Sequence, residues 1–254
     1  MSEFCGKTVL VTGASGGIGC AVARRFAQAG AAVLMHCNNN VEAVRELAAE
    51  IEGKGGFAEI FVADFCKQTD LEKFITDVTS KFPKIDILVN AVGVNLMLPE
   101  LSGCSFEKRL DSIFGLDVFA TIRLSRRICD LMKGHGGGAI FFFGWDGVDY
   151  GWRGETAQLY GAAKGAIEGF ARSLAETVSP AVRIRSISLG WIKTSWGEKS
   201  NGEFTKRVKQ DSLMERWGDP CEVAECVMFL ASSAADYFDG TNIRLNGGKR
   251  GTKN

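Results

Sequence analysis

The sequence is poor in the features that mark a specialised partner. Its 30 Lys and Arg balance 30 Asp and Glu, so the net charge is zero. No excess of one sign points to nucleic acid or to an anionic membrane surface. No apolar run approaches the ~20 residues needed to span a bilayer. The opening Met1-Ser2-Glu3-Phe4-Cys5 is not a secretory leader, because strand-forming residues begin almost at once. There are two histidines and no CxxC pair among eight cysteines (Cys5, Cys20, Cys37, Cys66, Cys104, Cys129, Cys221 and Cys226), so a metal site has little support. The cysteines are scattered singly, several among apolar residues, and read as small buried hydrophobes of a cytoplasmic protein. No repeat, low-complexity segment or proline-rich linker interrupts the chain, so residues 1–254 read as one domain with a well-buried core.

What is present is a glycine-rich stretch near the start, Thr12-Gly13-Ala14-Ser15-Gly16-Gly17-Ile18-Gly19. Before it, residues 8–11 are apolar and β-branched, as in a buried parallel strand. After it, Ile18, Val22 and Phe26 recur four apart on one helical face, with Gly30 as the stop. Strand, glycine turn and helix start together make a phosphate cradle. The unpaired N–H groups and the positive end of the helix dipole face an anion, and glycines let the backbone approach it. The alternative is a tight strand-to-helix turn without ligand. Its place in the first strand–helix unit favours a dinucleotide.

Further strands are expected at residues 32–36, 59–62, 85–90, 139–143, 182–189 and 242–248. Amphipathic helices alternate with them, one carried by Val41, Val44, Leu47, Ala48 and Ile51, another by Leu71, Phe74, Ile75, Val78 and Phe82. Residues 106–132 read as one long helix, 158–178 as another and 222–231 as a short last one. The breadth of the apolar face on 106–132 suits either a subunit contact or deep burial in the monomer. Strand and helix alternation with short connections predicts a parallel sheet covered on both faces.

Tyr160 and Lys164 lie four apart on the helix of 158–178, so their side chains stack one turn apart on one face. An ammonium beside a phenol favours the phenolate and draws the tyrosine towards a working proton-transfer range. Spacing alone favours a coincidental surface pair, because tyrosine and lysine at this separation are common.

Tyr160-Gly161-Ala162-Ala163-Lys164 resembles the YxxxK helix of the short-chain dehydrogenase/reductase family, and Gly13-xxx-Gly17-x-Gly19 after Thr12 resembles its TGxxxGxG turn. Asn90-Ala91-Val92-Gly93 is similar to its NNAG turn, and Leu189-Gly190-Trp191-Ile192-Lys193-Thr194 to its PGxxxT segment, with leucine for proline. The match extends in order over nearly the whole chain. It implies a doubly wound (Rossmann) α/β domain, a mostly parallel seven-stranded sheet with helices on both faces. It implies that Thr12, Gly13, Ser15, Gly17, Ile18 and Gly19 hold the cofactor phosphates, Asp64 the adenine, and Asn90, Ala91 and Gly93 the ribose region. Tyr160 becomes the general acid/base, Lys164 tunes it and holds the nicotinamide ribose, and Ile192 and Thr194 border the carboxamide.

Two departures accompany the match. The family's serine after the fifth strand is replaced by Trp145, and the place of its helix asparagine falls near Ile113 or Phe114. Asp146 or Thr156 are candidates to replace the hydroxyl. Trp145, Asp146, Trp152 and Trp196 are candidate substrate-pocket residues, although the aromatic loop also reads as a plain lid. The second strand ends in Cys37-Asn38-Asn39-Asn40 without an acid, so a 2′-phosphate is not repelled, and NADPH is expected over NADH with Asn38 at the cofactor. Arg24 and Arg25 are expected to be solvated. The resulting expectation is an oxidoreductase acting on a small carbonyl or alcohol, a 3-oxoacyl-carrier-protein reductase being one analogue, as a homodimer or homotetramer. A nucleotide-binding relative without turnover, and a lyase or isomerase on the same pair, are the alternatives.

Overall fold

The computed structural model describes residues 3–198 and 202–249. Its first half alternates strictly: β1 (Thr8–Thr12), α1 (Gly17–Gln28), β2 (Ala32–Cys37), α2 (Val41–Gly53), β3 (Phe57–Val62), α3 (Gln68–Lys81) and β4 (Ile87–Asn90). A short α4 (Pro99–Ser102) leads to α5 (Phe106–Ile113), a π-helical stretch Phe114–Ala120, and α6 (Thr121–Gly134). Then come β5 (Gly138–Trp145), α7 (Gly147–Tyr150), α8 (Glu155–Val178) and β6 (Val182–Leu189). The last elements are α9 (Ser195–Glu198), α10 (Gly202–Asp211), α11 (Pro220–Ala231) and β7 (Asn242–Leu245).

The seven strands form one parallel sheet in the order β3-β2-β1-β4-β5-β6-β7. Strand order reverses between β1 and β4, and there Thr12 pairs with Asn90 at the carboxyl ends of the two strands. A crevice at such a switch point is where doubly wound sheets bind ligands.

Alternation along each strand sends side chains to two separate cores. Val9, Val11, Phe141 and Phe143 pack under α1, α2 and α11. Leu10, Ile140 and Phe142 pack under α3, α6 and α8. Both faces being dry, the strands read as unbroken apolar runs, and each fully buried phenylalanine contributes ~1.5–3 kcal/mol. Arg185 on β6 is the largest fully buried side chain. Its guanidinium donates to the carbonyls of Leu230, Ala235 and Phe238, fastening the segment after α11 to the sheet. Burial pulls its pKa down to about 10, which still leaves it charged at neutral pH.

The predicted strands and helices are present, with shifted ends. β5 continues to Trp145 rather than stopping at Phe143, because β6 pairs with it as far as Trp145↔Leu189. α8 begins at Glu155, and α11 at Pro220, where Asp219 and Glu222 form a reciprocal capping box. The single helix expected over 106–132 is a continuous helical run, but seven residues in its middle are π-helical. A π turn holds an extra residue, which rotates everything after it relative to a 3.6-residue period.

Candidate active site

The glycine turn is built as a cradle. Gly13 sits at φ +67°, and a Cβ there would come within 2.9 Å of Ala91 and Val92 backbone. A Cβ on Gly19 would collide with the Gly13 carbonyl oxygen. Thr12 locks the turn to the end of β4, its hydroxyl accepting from the N–H groups of Ala91 (3.1 Å) and Val92 (3.2 Å). No side chain caps α1 at Gly16 and no acid stands in its first turn. The orphan N–H groups of Gly17, Ile18 and Gly19 are therefore left for an anion, and half-buried Ser15 stands in the same turn.

Behind this turn lies a residue that sequence reading passed over. His36, buried in β2, stacks on Phe65 with ring centroids 3.7 Å apart. Gly13 N–H donates to its Nδ1 at 3.3 Å, so the proton sits on Nε2, which donates to Ala63 O at 3.0 Å. Burial lowers its pKa from 6.5 to about 4. The unfolded chain binds the proton first as pH falls, so this imidazole's stabilising contribution drains away between pH 6.5 and 4, by about 3 kcal/mol in all. Urea unfolding at pH 7 and pH 4.5 is expected to show a smaller stability difference in His36→Gln than in the native chain. Equal differences would remove His36 from this role.

At the carboxyl end of β2, the structure brings Asn38 and Asp64 together, Asn38 Nδ2 donating to Asp64 Oδ1 at 3.4 Å. Lys67 stands 3.6 Å from the same carboxylate. Arg24 and Arg25, expected to be solvated, are instead paired with Glu50 at 3.0 Å and Glu225 at 2.6 Å. Their neighbours on α2 and α11 supply the carboxylates, a long-range match invisible in local sequence.

Past the switch point, Asn90 is buried and donates to Ser125 Oγ (3.0 Å) and Phe141 O (3.2 Å). Gly93 leaves room for Asp117, whose carboxylate would be 3.2 Å from any Cβ added there. Asp117 is 2% exposed. It accepts from Val94 N–H at 2.7 Å and forms an ion pair with Lys164 at 2.8 Å. The polar partner that the long helix offers to Lys164 is therefore Asp117. The expectation at Ile113 or Phe114 is corrected: Ile113 is core, and the π turn sets which residue faces the pair.

Tyr160 also departs from expectation. Its hydroxyl donates to Val94 O at 2.7 Å and accepts from Leu96 N–H at 3.2 Å. Its pKa is pushed up to about 12, first by burial and further by the negative charge of Asp117. The direction is opposite to the anticipated lowering by Lys164, because burial dominates and Asp117 adds its negative charge. With only three tyrosines, titration of tyrosinate absorbance can isolate Tyr160 as the step missing in Tyr160→Phe. Asp117→Asn is expected to move that step to lower pH. An unmoved step would show that the carboxylate does not act on the phenol.

Tyr160, Lys164 and Asp117 line one cavity of about 440 Å³, within the range of ligand pockets; Asn38, Asp64 and Asn90 do not line it. Ile18, Ala91, Gly93, Ile192 and Thr194 line one part of it, with Tyr160 and Lys164 in the wall. Thr194 lies against Gly17, its Cγ2 3.3 Å from where a Cβ would stand. Trp145 lines the cavity with its ring 6.1 Å from that of Tyr160. Its indole lies over Gly147, where a Cβ would collide with it. Trp152 and Thr156 also line the cavity, Thr156 Oγ1 accepting from Arg109. Asp146 does not: it follows Trp145 at the strand end, is buried, and accepts from Asn246 at 3.2 Å. The side chain of Trp196 lies outside the described residues. Phe204, expected from the sequence as part of an apolar wall, lines the cavity, and Trp191 and Trp217, which sequence reading passed over, join it there. A larger cavity, about 750 Å³, lies at the amino ends of β1, β4, β5 and β6, where Asp86 is already paired with Lys7 and Lys84 and Arg183 with Asp236.

Among the described residues, no group of three or more His, Cys, Asp and Glu is placed to hold a metal. No helix there is long and apolar enough to cross a membrane.

The chain is similar over nearly its whole length to known proteins. A family model described as enoyl-(acyl carrier protein) reductase matches residues 13–250. An acetoacetyl-CoA reductase of Allochromatium vinosum is 29% identical over 249 residues, covering 95% of this chain and 98% of its own. A meso-2,3-butanediol dehydrogenase of Serratia marcescens is 31% identical over 255 residues, covering 97% and 95%. A short-chain dehydrogenase from Burkholderia cenocepacia, solved in complex with NADP, superposes with a TM-score of 0.86 at 26% identity over 97% of this chain and 98% of its own.

Proposed function

The chain belongs to the short-chain dehydrogenase/reductase family, an oxidoreductase family, and we propose that it is an NADPH-dependent carbonyl reductase with Tyr160 as its proton donor. The observation that carries this reading is one cavity lined by Ile18 of the glycine turn together with Tyr160 and Lys164. The cradle fits a dinucleotide: an uncapped helix start, no acid in its first turn, and glycines where a Cβ would strike backbone. Thr12, Gly13, Ser15, Gly17, Ile18 and Gly19 would hold the phosphates, Asn38 and Asp64 the adenosine end, and Asn90, Ala91, Gly93, Ile192 and Thr194 the nicotinamide end. When bound, the nicotinamide supplies the hydride.

The chain's own part is proton delivery. A phenol held near pKa 12 is neutral at physiological pH and suits donation to a carbonyl oxygen that is gaining negative charge. To reach it, the hydroxyl must leave Val94 O, so the Val94–Leu96 backbone has to yield as substrate enters. Lys164 and Asp117 stay as a nearly neutral pair behind it. Trp145 takes the place of the usual serine, and its indole N–H is the donor nearest in kind to the missing hydroxyl.

A second reading is favoured by the same contacts. Tyr160 hydrogen-bonded to backbone and Lys164 paired with Asp117 also describe a nucleotide-binding relative without turnover. Nicotinamide fluorescence reports binding, and loss of NADPH absorbance over a panel of ketones reports turnover. Binding with consumption is expected, and binding without consumption across the panel would select the second reading.

NADPH is preferred over NADH because Asn38, Asn39 and Asn40 put no carboxylate after β2. Asn38→Asp is expected to shift the NADPH/NADH ratio of kcat/KM about tenfold or more towards NADH, about 1.4 kcal/mol. An unchanged ratio would place the 2′-phosphate elsewhere. We place the protein in the cytoplasm as a homodimer or homotetramer. The eight unbonded cysteines fit the first, and Phe119, 52% exposed on the long helical run, fits the second.

A further inference from the structure

We propose that the substrate is a planar aromatic carbonyl compound carrying a carboxylate, an inference that rests on reading this cavity as a reductase pocket. Among the described residues, four charged ones line the cavity: Asp117, Lys164, Arg153 and Arg207. The first two neutralise each other at 2.8 Å. Arg153 is exposed and has no ion pair among the described residues. Arg207 reaches Asp211 only at 3.9 Å and lies over the Trp152 ring at 4.7 Å. Lys249 stands 4.1 Å from the centroid of that ring, adding a third cation to this end. Asp211 offsets one of these charges, so the wall keeps a positive excess.

Trp152 supplies a second, independent sign. Its indole Nε1 is buried and has no acceptor among the described residues, and a buried donor left unpaired is unfavourable. An acceptor entering beside Arg153 and Arg207 would satisfy it. The cofactor phosphates are not that acceptor, because the cradle that fits them lies beyond Ile18 and Thr194, at the part of the cavity bordered by Gly17. Guanidinium forks and an indole N–H match a carboxylate.

The rest of the wall selects the body of the substrate. Trp145, Trp152, Trp191, Phe204 and Trp217 line it. Trp191 is packed edge to face against Trp152 at 5.6 Å and Phe204 at 4.9 Å, which fixes these rings as rigid plates. Rigid aromatic plates around about 440 Å³ favour a flat apolar body over a flexible chain. The carbonyl then lies towards Tyr160 and the carboxylate towards Arg153, Arg207 and the Trp152 N–H.

Calorimetric titration of 4-acetylbenzoate, its methyl ester and 5-oxohexanoate into the chain, with and without NADP⁺, tests this. The acid is expected to bind about tenfold or more tightly than the ester at low salt, with the ratio shrinking as salt is raised. It is also expected to bind more tightly than the aliphatic keto acid. The double variant Arg153→Gln, Arg207→Gln should cut the acid/ester ratio about tenfold. An acid that binds no better than its ester, an aliphatic acid that binds as well as the aromatic one, or a ratio untouched in the double variant each overturns the proposal, as does no binding of any probe. The reductase reading fails separately, by absence of NADPH consumption over the ketone panel, and the binding ratios are readable in either case.

Discussion

Replacing Tyr160 by phenylalanine is expected to lower kcat for NADPH-dependent carbonyl reduction by about 10³-fold, while Kd for NADPH changes by less than about threefold. The ring stays, so packing against Leu96 and Trp145 is kept, and only the proton is removed. The hydroxyl's two backbone bonds to Val94 and Leu96 are also lost. Phenylalanine frees that segment as it deletes the donor, so a conformational gate alone would predict faster entry and no loss of rate. Steady-state kinetics beside fluorescence titration separate the two. A variant that keeps more than about a tenth of the native kcat would remove the phenol from the chemistry.

The second large effect is expected at the cradle. Gly19→Ala places a Cβ against the carbonyl oxygen of Gly13, a backbone atom that cannot swing aside. The helix start must move, and with it the N–H groups of Gly17 and Ile18. Displacement of about an ångström at an organised site costs on the order of 10²-fold, so Kd for NADPH should rise at least that much. Gly53, where an added Cβ meets nothing, provides the control. Gly53→Ala should leave Kd unchanged. Equal affinity in the two variants would show that the nucleotide does not lie over this turn.

The sheet was legible because its strands are dry on both faces, so runs such as residues 139–143 announce themselves without periodicity. The end of β5 was not, because Gly144 and Trp145 look like a loop until β6 pairs beside them. The glycine turn, Tyr160 and Lys164 could be read from spacing and resemblance. What stands between them could not. Asp117 reaches Lys164 through a π turn that no 3.6-residue pattern reveals. His36 hides in an apolar strand, and only the fold shows that its imidazole supports Gly13. The direction of the Tyr160 shift was misjudged for the same reason. Sequence supplied the neighbouring ammonium but neither the burial nor the carboxylate that outweigh it.

The aromatic wall was half visible. Trp145 and Trp152 fall in a loop next to the predicted site, whereas Trp191 and Trp217 come from distant segments held together by backbone bonds, Gly218 N–H donating to Trp191 O at 2.9 Å. Asp146 was drawn into the same group by adjacency to Trp145. Asp146 already leaves the strand with helical backbone angles at the start of α7, and its carboxylate goes to Asn246 instead.

A structure of the chain with NADPH bound tests the central claim most directly. The account predicts the phosphates on the N–H groups of Gly17, Ile18 and Gly19, and the nicotinamide in the cavity beside Ile192 and Thr194. The Tyr160 hydroxyl should then lie where a carbonyl oxygen could touch it at about 3 Å. A nucleotide bound away from the glycine turn, or a nicotinamide that Tyr160 cannot share a substrate with, would contradict it.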